Sequence, residues 1–234
     1  MNARFPPLPD LHACGALPLE LNSGFGPLHG DALGLLERRY VDRGLALGHE
    51  RFGSRPDDGA VVCTALEGDR TVGTLSVRLD GAAGLRADLL FAAELGAWRA
   101  AGTRLCEFGS LAVDEHSRDR KRLLAQLFHL AYLHAHRRAR CQRGVIEVHP
   151  RHVAFYRRWL GWLPHSTARH NPRVDAPAVL MSIELATVRA QIARWGGRPE
   201  LLAQARCLYP LAWDVTTEAA VLARLGVEGQ HWLA

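Results

Sequence analysis

The chain has 234 residues, 48% of them hydrophobic, with 29 basic and 24 acidic side chains and a formal net charge of +5. That length and apolar content suit one large domain or a domain with an appendage, and we read the second. No apolar run approaches bilayer-spanning length, and prolines interrupt the amino-terminal stretch where a secretory leader needs an apolar segment, so the expected compartment is the cytoplasm.

Residues 1–29 are rich in Pro and Gly and read as an irregular lead-in with one short strand. The spacing of Leu33, Leu36 and Tyr40 predicts a helix over 30–47, with Asp31 as its N-cap. Runs at 60–66 and 71–79 flank the turn Glu67-Gly68-Asp69-Arg70 and predict a hairpin. Leu85, Leu89, Leu90, Ala93, Leu95 and Trp98 predict a helix within 84–101, ended by Gly102. A strand from about Arg104 then carries a lone acid, Glu107, into a turn crowded with Arg118, Arg120, Lys121 and Arg122. Behind it Leu123, Leu127, Leu130 and Leu133 share a helix face, with Leu124, Phe128 and Ala131 beside them. A β-branched strand over 144–149 and a helix after Pro150 complete a β-α-β unit, which requires parallel strands. The stretch 165–177 reads as a polar loop, 178–185 as an alternating strand, and 187–234 as short helices.

Cys14, Cys63, Cys106, Cys141 and Cys207 are odd in number and contain no CxxC pair, which points to reduced, mostly buried thiols. Lys121 is the one lysine among the 29 basic residues, so the arginine clusters carry the positive charge. Either end of the long helix can meet an anionic partner, yet no aromatic platform or finger motif indicates nucleic acid. His134 with His136, and His149 with His152, lack an acid in register and a third ligand, so no metal site is expected.

The order of elements is that of the GNAT-like acyltransferase fold, an α/β (α+β) arrangement with a mixed central sheet flanked by helices. The segments RYVDRG at 39–44, VGTL at 72–75, EFGSLAVD at 107–114 and HPRH at 149–152, followed by FY at 155–156 and LG at 160–161, go further. Through them the chain resembles the long-chain N-acyl amino acid synthases of the N-acyltyrosine synthase type, relatives of the acyl-homoserine lactone synthases. The resemblance covers roughly residues 30–185, and divides the chain into the lead-in, an acyltransferase domain over 30–186 and a helical extension over 187–234. It implies transfer of a fatty acyl group from an acyl-phosphopantetheine thioester on acyl carrier protein to an amino acid amine, with no other cofactor. A lipid product would also give a route to peripheral membrane contact.

Two departures refine this expectation. Acetyl-CoA enzymes of this fold place a glycine-rich pyrophosphate loop before the long helix, whereas here Glu115 to Arg122 contain no glycine and several cations. A carrier protein docking on Arg118, Arg120, Lys121 and Arg122 fits better than a free nucleotide cofactor. Ser110 stands where the lactone synthases commonly carry Arg, which argues against lactone formation.

Amide formation from a thioester needs a neutral amine, a polarised carbonyl and a protonated leaving thiol. Glu107 shares strand parity with Leu105, Leu111 and Val113 if no bulge intervenes, and is either a general base or a structural partner of Arg78 or Arg104. Gly109 and Ser110 interrupt the strand where the resemblance places a splay with a free N–H. Ser110 is a weaker candidate as a nucleophile. Tyr156 is placed to protonate the thiolate, or packs in the core. Arg39, Arg43 and Arg78 are candidate clamps for an acceptor carboxylate. Leu111, Val113, Val145 and Phe155 would line an acyl tunnel or a plain core. The alternatives are an acyl-CoA-dependent N-acyltransferase and a catalytically silent acyl or carrier-protein binding module.

Overall fold

The computed structural model of the chain describes residues 19–25, 30–42, 44 and 60–227. The expected helix beyond 44, Arg43 and Cys14 lie outside these residues. The sheet is built from β1 (Leu19–Phe25), β2 (Ala60–Glu67), β3 (Arg70–Leu79), β4 (Leu105–Val113), β5 (Arg143–Val148), β6 (Leu163–Pro164), β7 (Arg169–Asn171) and β8 (Ala176–Glu184). Its order is β1-β2-β3-β4-β5-β8-β6, with β7 paired on β8. Every neighbouring pair is antiparallel except β4 and β5, the parallel pair that the crossover demanded. β6 and β7 fall at and within the stretch read as loop. They add edge pairing to β8 without an apolar run of their own.

Helices α1 (Gly30–Val41) and α2 (Asp88–Ala100) cover one face of the sheet. Helix α3 (Arg120–Tyr132), running on through a π-helical turn at Leu133–Arg138, covers the other. Its Leu123, Leu127, Leu130 and Leu133 are all buried, as their spacing requires. Asp119 caps α3 by accepting the Arg122 N–H at 3.0 Å. Helix α2 starts later than its apolar pattern suggests because Gly84 turns the chain at φ +68°. A Cβ there would sit 2.9 Å from the Asp88 carboxylate. Asp88 instead accepts the Leu85 N–H at 2.7 Å, and Arg99 ties Asp80 to Asp88.

Helix α4 (Pro150–Leu160) begins with proline at its first turn and ends at Gly161, whose φ is +80°. After β8 come α5 (Leu185–Trp195), α6 (Leu202–Ala205) and α7 (Val215–Val227), which pack into the same core as α3. A polar anchor sits inside that contact. The Trp213 N–H donates to His129 Nδ1 at 3.2 Å, so Nε2 carries the proton and faces Glu218 at 3.1 Å. Arg137 pairs with the same carboxylate, and burial holds the His129 pKa down. The described cysteines are free, with Cys63, Cys106 and Cys141 buried.

The central strand is irregular in two ways that matter for function. Gly73 pairs with Val113 and Thr74 with Ala112, but Ser76 pairs with Gly109, so Ser110 and Leu111 together oppose Leu75. This is a β-bulge, and it exchanges the faces of the strand. Glu107 and Leu105 face the α2 side, while Leu111 and Val113 pack toward α3. The shared parity expected for these four therefore stops at the bulge. Ser110 takes the left-handed φ of 49° that makes the turn, whereas a Cβ on Gly109 would meet Ser76 Oγ at an ordinary 3.5 Å. The second irregularity is that β4 and β5 pair only from Leu105–Arg143 to Glu107–Val145 and then separate.

Candidate active site

A cleft of about 190 Å³ opens where β4 and β5 part. Glu107, Phe108, Gly109, Ser110 and Leu111 form one wall, and Ile146, Glu147, Val148 and His149 the other. Because side chains alternate along a strand, the two walls sort by chemistry. Glu107 and Glu147 project to the α2 side with Arg86, Asn171 and Arg173, while Phe108, Ile146 and Val148 project to the α3 side with Tyr156.

Glu107 is only 6% exposed. Its Oε2 accepts the backbone N–H groups of Arg86 at 2.6 Å and Ala87 at 3.2 Å, both delivered by the turn that delays α2. Burial pushes its carboxyl up to about 7, helped by like charge on Glu147 and opposed by the two N–H groups and Arg173. Arg78 stands opposite Glu107 in the β3–β4 register, and Arg104 is exposed at the start of the strand. Glu147 also has its carboxyl raised by burial, with Arg173 pulling the other way. Arg173 donates to Glu147 Oε2, and Asn171 Nδ2 reaches the same oxygen at 3.3 Å.

The structure divides the residues singled out from sequence. Glu107, Ser110, Leu111 and Tyr156 meet in the cleft. Val145 instead fills the core against α2, Val113 packs under α3, and Phe155 is 37% exposed outside the cleft. A strand buried on both faces has apolar residues that never see a cavity, which their spacing alone cannot reveal. Arg39 is committed to Asp42 and Glu115, each at 3.1 Å. Arg118, Arg120 and Lys121 are exposed at the start of α3, with Lys121 Nζ 5.2 Å from the Trp159 ring and Arg122 near Asp119.

Glu147, Arg86, Asn171 and Arg173 are site residues that the sequence reading missed. Glu147 carried the same signal as Glu107, an acid alone in an apolar strand. Arg86 and Arg173 lie in turns, where nothing local marks a half-buried cationic side chain as facing a carboxylate. Tyr156 is buried, with its ring edge-on to Phe128 at 6.3 Å.

Among the described residues the one parallel pair splays beside a bulged central strand, with a buried acid at the fork, and this arrangement is that of the GNAT fold. The structure of FeeM, an N-acyl amino acid synthase from uncultured soil microbes, superposes with a TM-score of 0.63 at 25% identity, covering 75% of this chain and 96% of that one. A putative N-acetyltransferase from Lactobacillus plantarum superposes at 0.50 with 18% identity, covering 71% and 98%. A search of curated proteins finds no match. The family model described as N-acyl amino acid synthase FeeM matches residues 31–184, and the chain belongs to that family.

Proposed function

We propose that the protein transfers a long-chain fatty acyl group from acyl carrier protein to the amine of an amino acid. The observation that carries this reading is Glu107, a carboxyl buried at the fork of β4 and β5 with its pKa near 7. A base at that value can accept a proton from an ammonium and release it again near neutral pH. The amine nitrogen attacks the thioester carbonyl, the N–C bond forms and the C–S bond breaks. Nitrogen sheds two protons overall, one leaving through Glu107 and one ending on the thiol. Backbone N–H groups on the unpaired edge of β4, at Gly109 to Leu111, are donors for the oxyanion. Tyr156 supplies the proton to the departing thiolate. Ser110 contributes its backbone conformation and is not a nucleophile in this scheme.

The carrier-protein donor is supported by the exposed Arg118, Arg120 and Lys121 on a turn without glycine, a surface suited to an acidic protein. The acyl chain lies on the α3 side, along Phe108, Ile146 and Val148. Expression in a heterologous bacterium, with mass spectrometry of lipid extracts, tests the whole reading. N-acyl amino acids should accumulate in cells making the protein. Soluble protein with no such product would overturn the assignment and favour a binding module.

A further inference from the structure

Resting on the reading above, one feature of the cleft is left without a role. Glu147 Oε1 is shut off from solvent and has no hydrogen-bond partner, although Oε2 of the same carboxylate takes Asn171 and Arg173. An unsatisfied buried acceptor is costly, and more so when it carries charge. Its neighbour Arg173 is 27% exposed in its side chain and held from both ends, its N–H donating to Asn171 Oδ1 at 2.9 Å and its Nε close to the same oxygen at 3.4 Å. The Arg173 cation and the Glu147 anion therefore stand side by side in the cleft, two residues past the last β4–β5 pair and on the same face as Glu107.

An amino acid is itself a cation and an anion side by side. We propose that the Glu147–Arg173 ion pair is the recognition site for the acceptor's zwitterion, with Glu147 taking the ammonium and Arg173 the carboxylate. The guanidinium fork matches a carboxylate in a way a point charge does not. Inserting the zwitterion exchanges one ion pair for two, which keeps every charge compensated in a site too dry to tolerate a lone one. It also brings the ammonium to the Glu107 side of the thioester. Arg39, which sequence motifs suggested as the clamp, pairs with Asp42 and Glu115 and does not line the cleft.

The consequence is selectivity for amino acids over simple amines. Calorimetric binding of phenylalanine, leucine and tyrosine, each against its decarboxylated amine, should show a preference of at least about tenfold for the amino acid. Arg173→Gln should erase that preference by weakening the amino acid alone. Glu147→Gln should weaken both ligands and, in turnover, raise KM. Because Arg173→Gln strands a carboxylate, the double variant with Glu147→Gln serves as the folding control. It should melt at least as high as the Arg173 variant and bind neither ligand selectively. An unchanged preference in Arg173→Gln, or no preference in the parent, overturns the proposal. Selective binding without any acyl transfer would instead leave this site standing and remove the enzymatic reading.

Discussion

The two sides of the β4–β5 fork teach different lessons, although the same strands build both. On the α2 side Glu107 is buried and Glu147 nearly so, among arginines and backbone N–H groups, a polar arrangement whose burial is costly. On the α3 side Phe108 stacks on Phe128 at 6.0 Å and meets Trp162 edge-on at 5.6 Å, a packing that stabilises the fold outright. Gly144 has no side chain because a Cβ would fall 2.9 Å from the Phe108 ring. One side thus trades stability for chemistry, and the other supplies stability and an apolar surface.

The strongest way to break this contrast is Glu107→Gln. Removing a general base should lower kcat by roughly 10²–10⁴-fold. The parent rate should rise with pH and level off above about 7, and that limb should vanish in the variant. The stability effect runs the other way. A carboxyl raised in the folded state from 4.5 to about 7 favours folding in acid and opposes it as pH rises through that window. Ionising Glu107 in place costs on the order of 3 kcal/mol, so Glu107→Gln should melt higher than the parent above pH 7 while losing its activity.

The mirror experiment is Phe108→Ala. This ring is 2% exposed, and its loss should destabilise the fold by about 3–5 kcal/mol in denaturant titrations. Phe108 also borders a second, apolar cavity of about 30 Å³ between α3, Trp162 and the chain from α5 to Ala212. Opening that wall should shift product acyl chains to greater length by mass spectrometry while leaving the pH limb in place. A shifted limb with unchanged chain length would show that the two sides are not separable.

The smallest effect should come from the rim. Charge reversal at Arg118 and Arg120 should raise KM for an acyl-carrier donor by about tenfold at low salt, with the difference shrinking as ionic strength rises. Melting temperature should hardly move, since both side chains are exposed.

Much of the frame was legible in the residues. Leucines at helical spacing gave α3, a two-residue turn gave the β2–β3 hairpin, and the need for a crossover gave the parallel pair. Glu107 stood out for the same reason, since an acid in an apolar strand violates the local pattern. Glu147 violates it equally, inside a strand whose β-branched residues set the pattern. Leu111, Val113, Val145 and Phe155 have the same kind of side chain, and only Leu111 lines the cleft.

By itself the sequence determined what depends on near neighbours: the periodic elements, the cationic turn and the presence of a buried acid, although Asp31, expected as a cap, falls inside the first turn of α1. The tertiary structure decided what depends on distant ones. Ser110 in its left-handed conformation reverses the faces of β4, the turn before α2 delivers two N–H groups to Glu107, and Arg173 arrives from the turn between β7 and β8 to meet Glu147. Side-chain periodicity is a local property of the backbone. Which charge ends beside which is fixed only when strands and turns far apart in the chain close on one another.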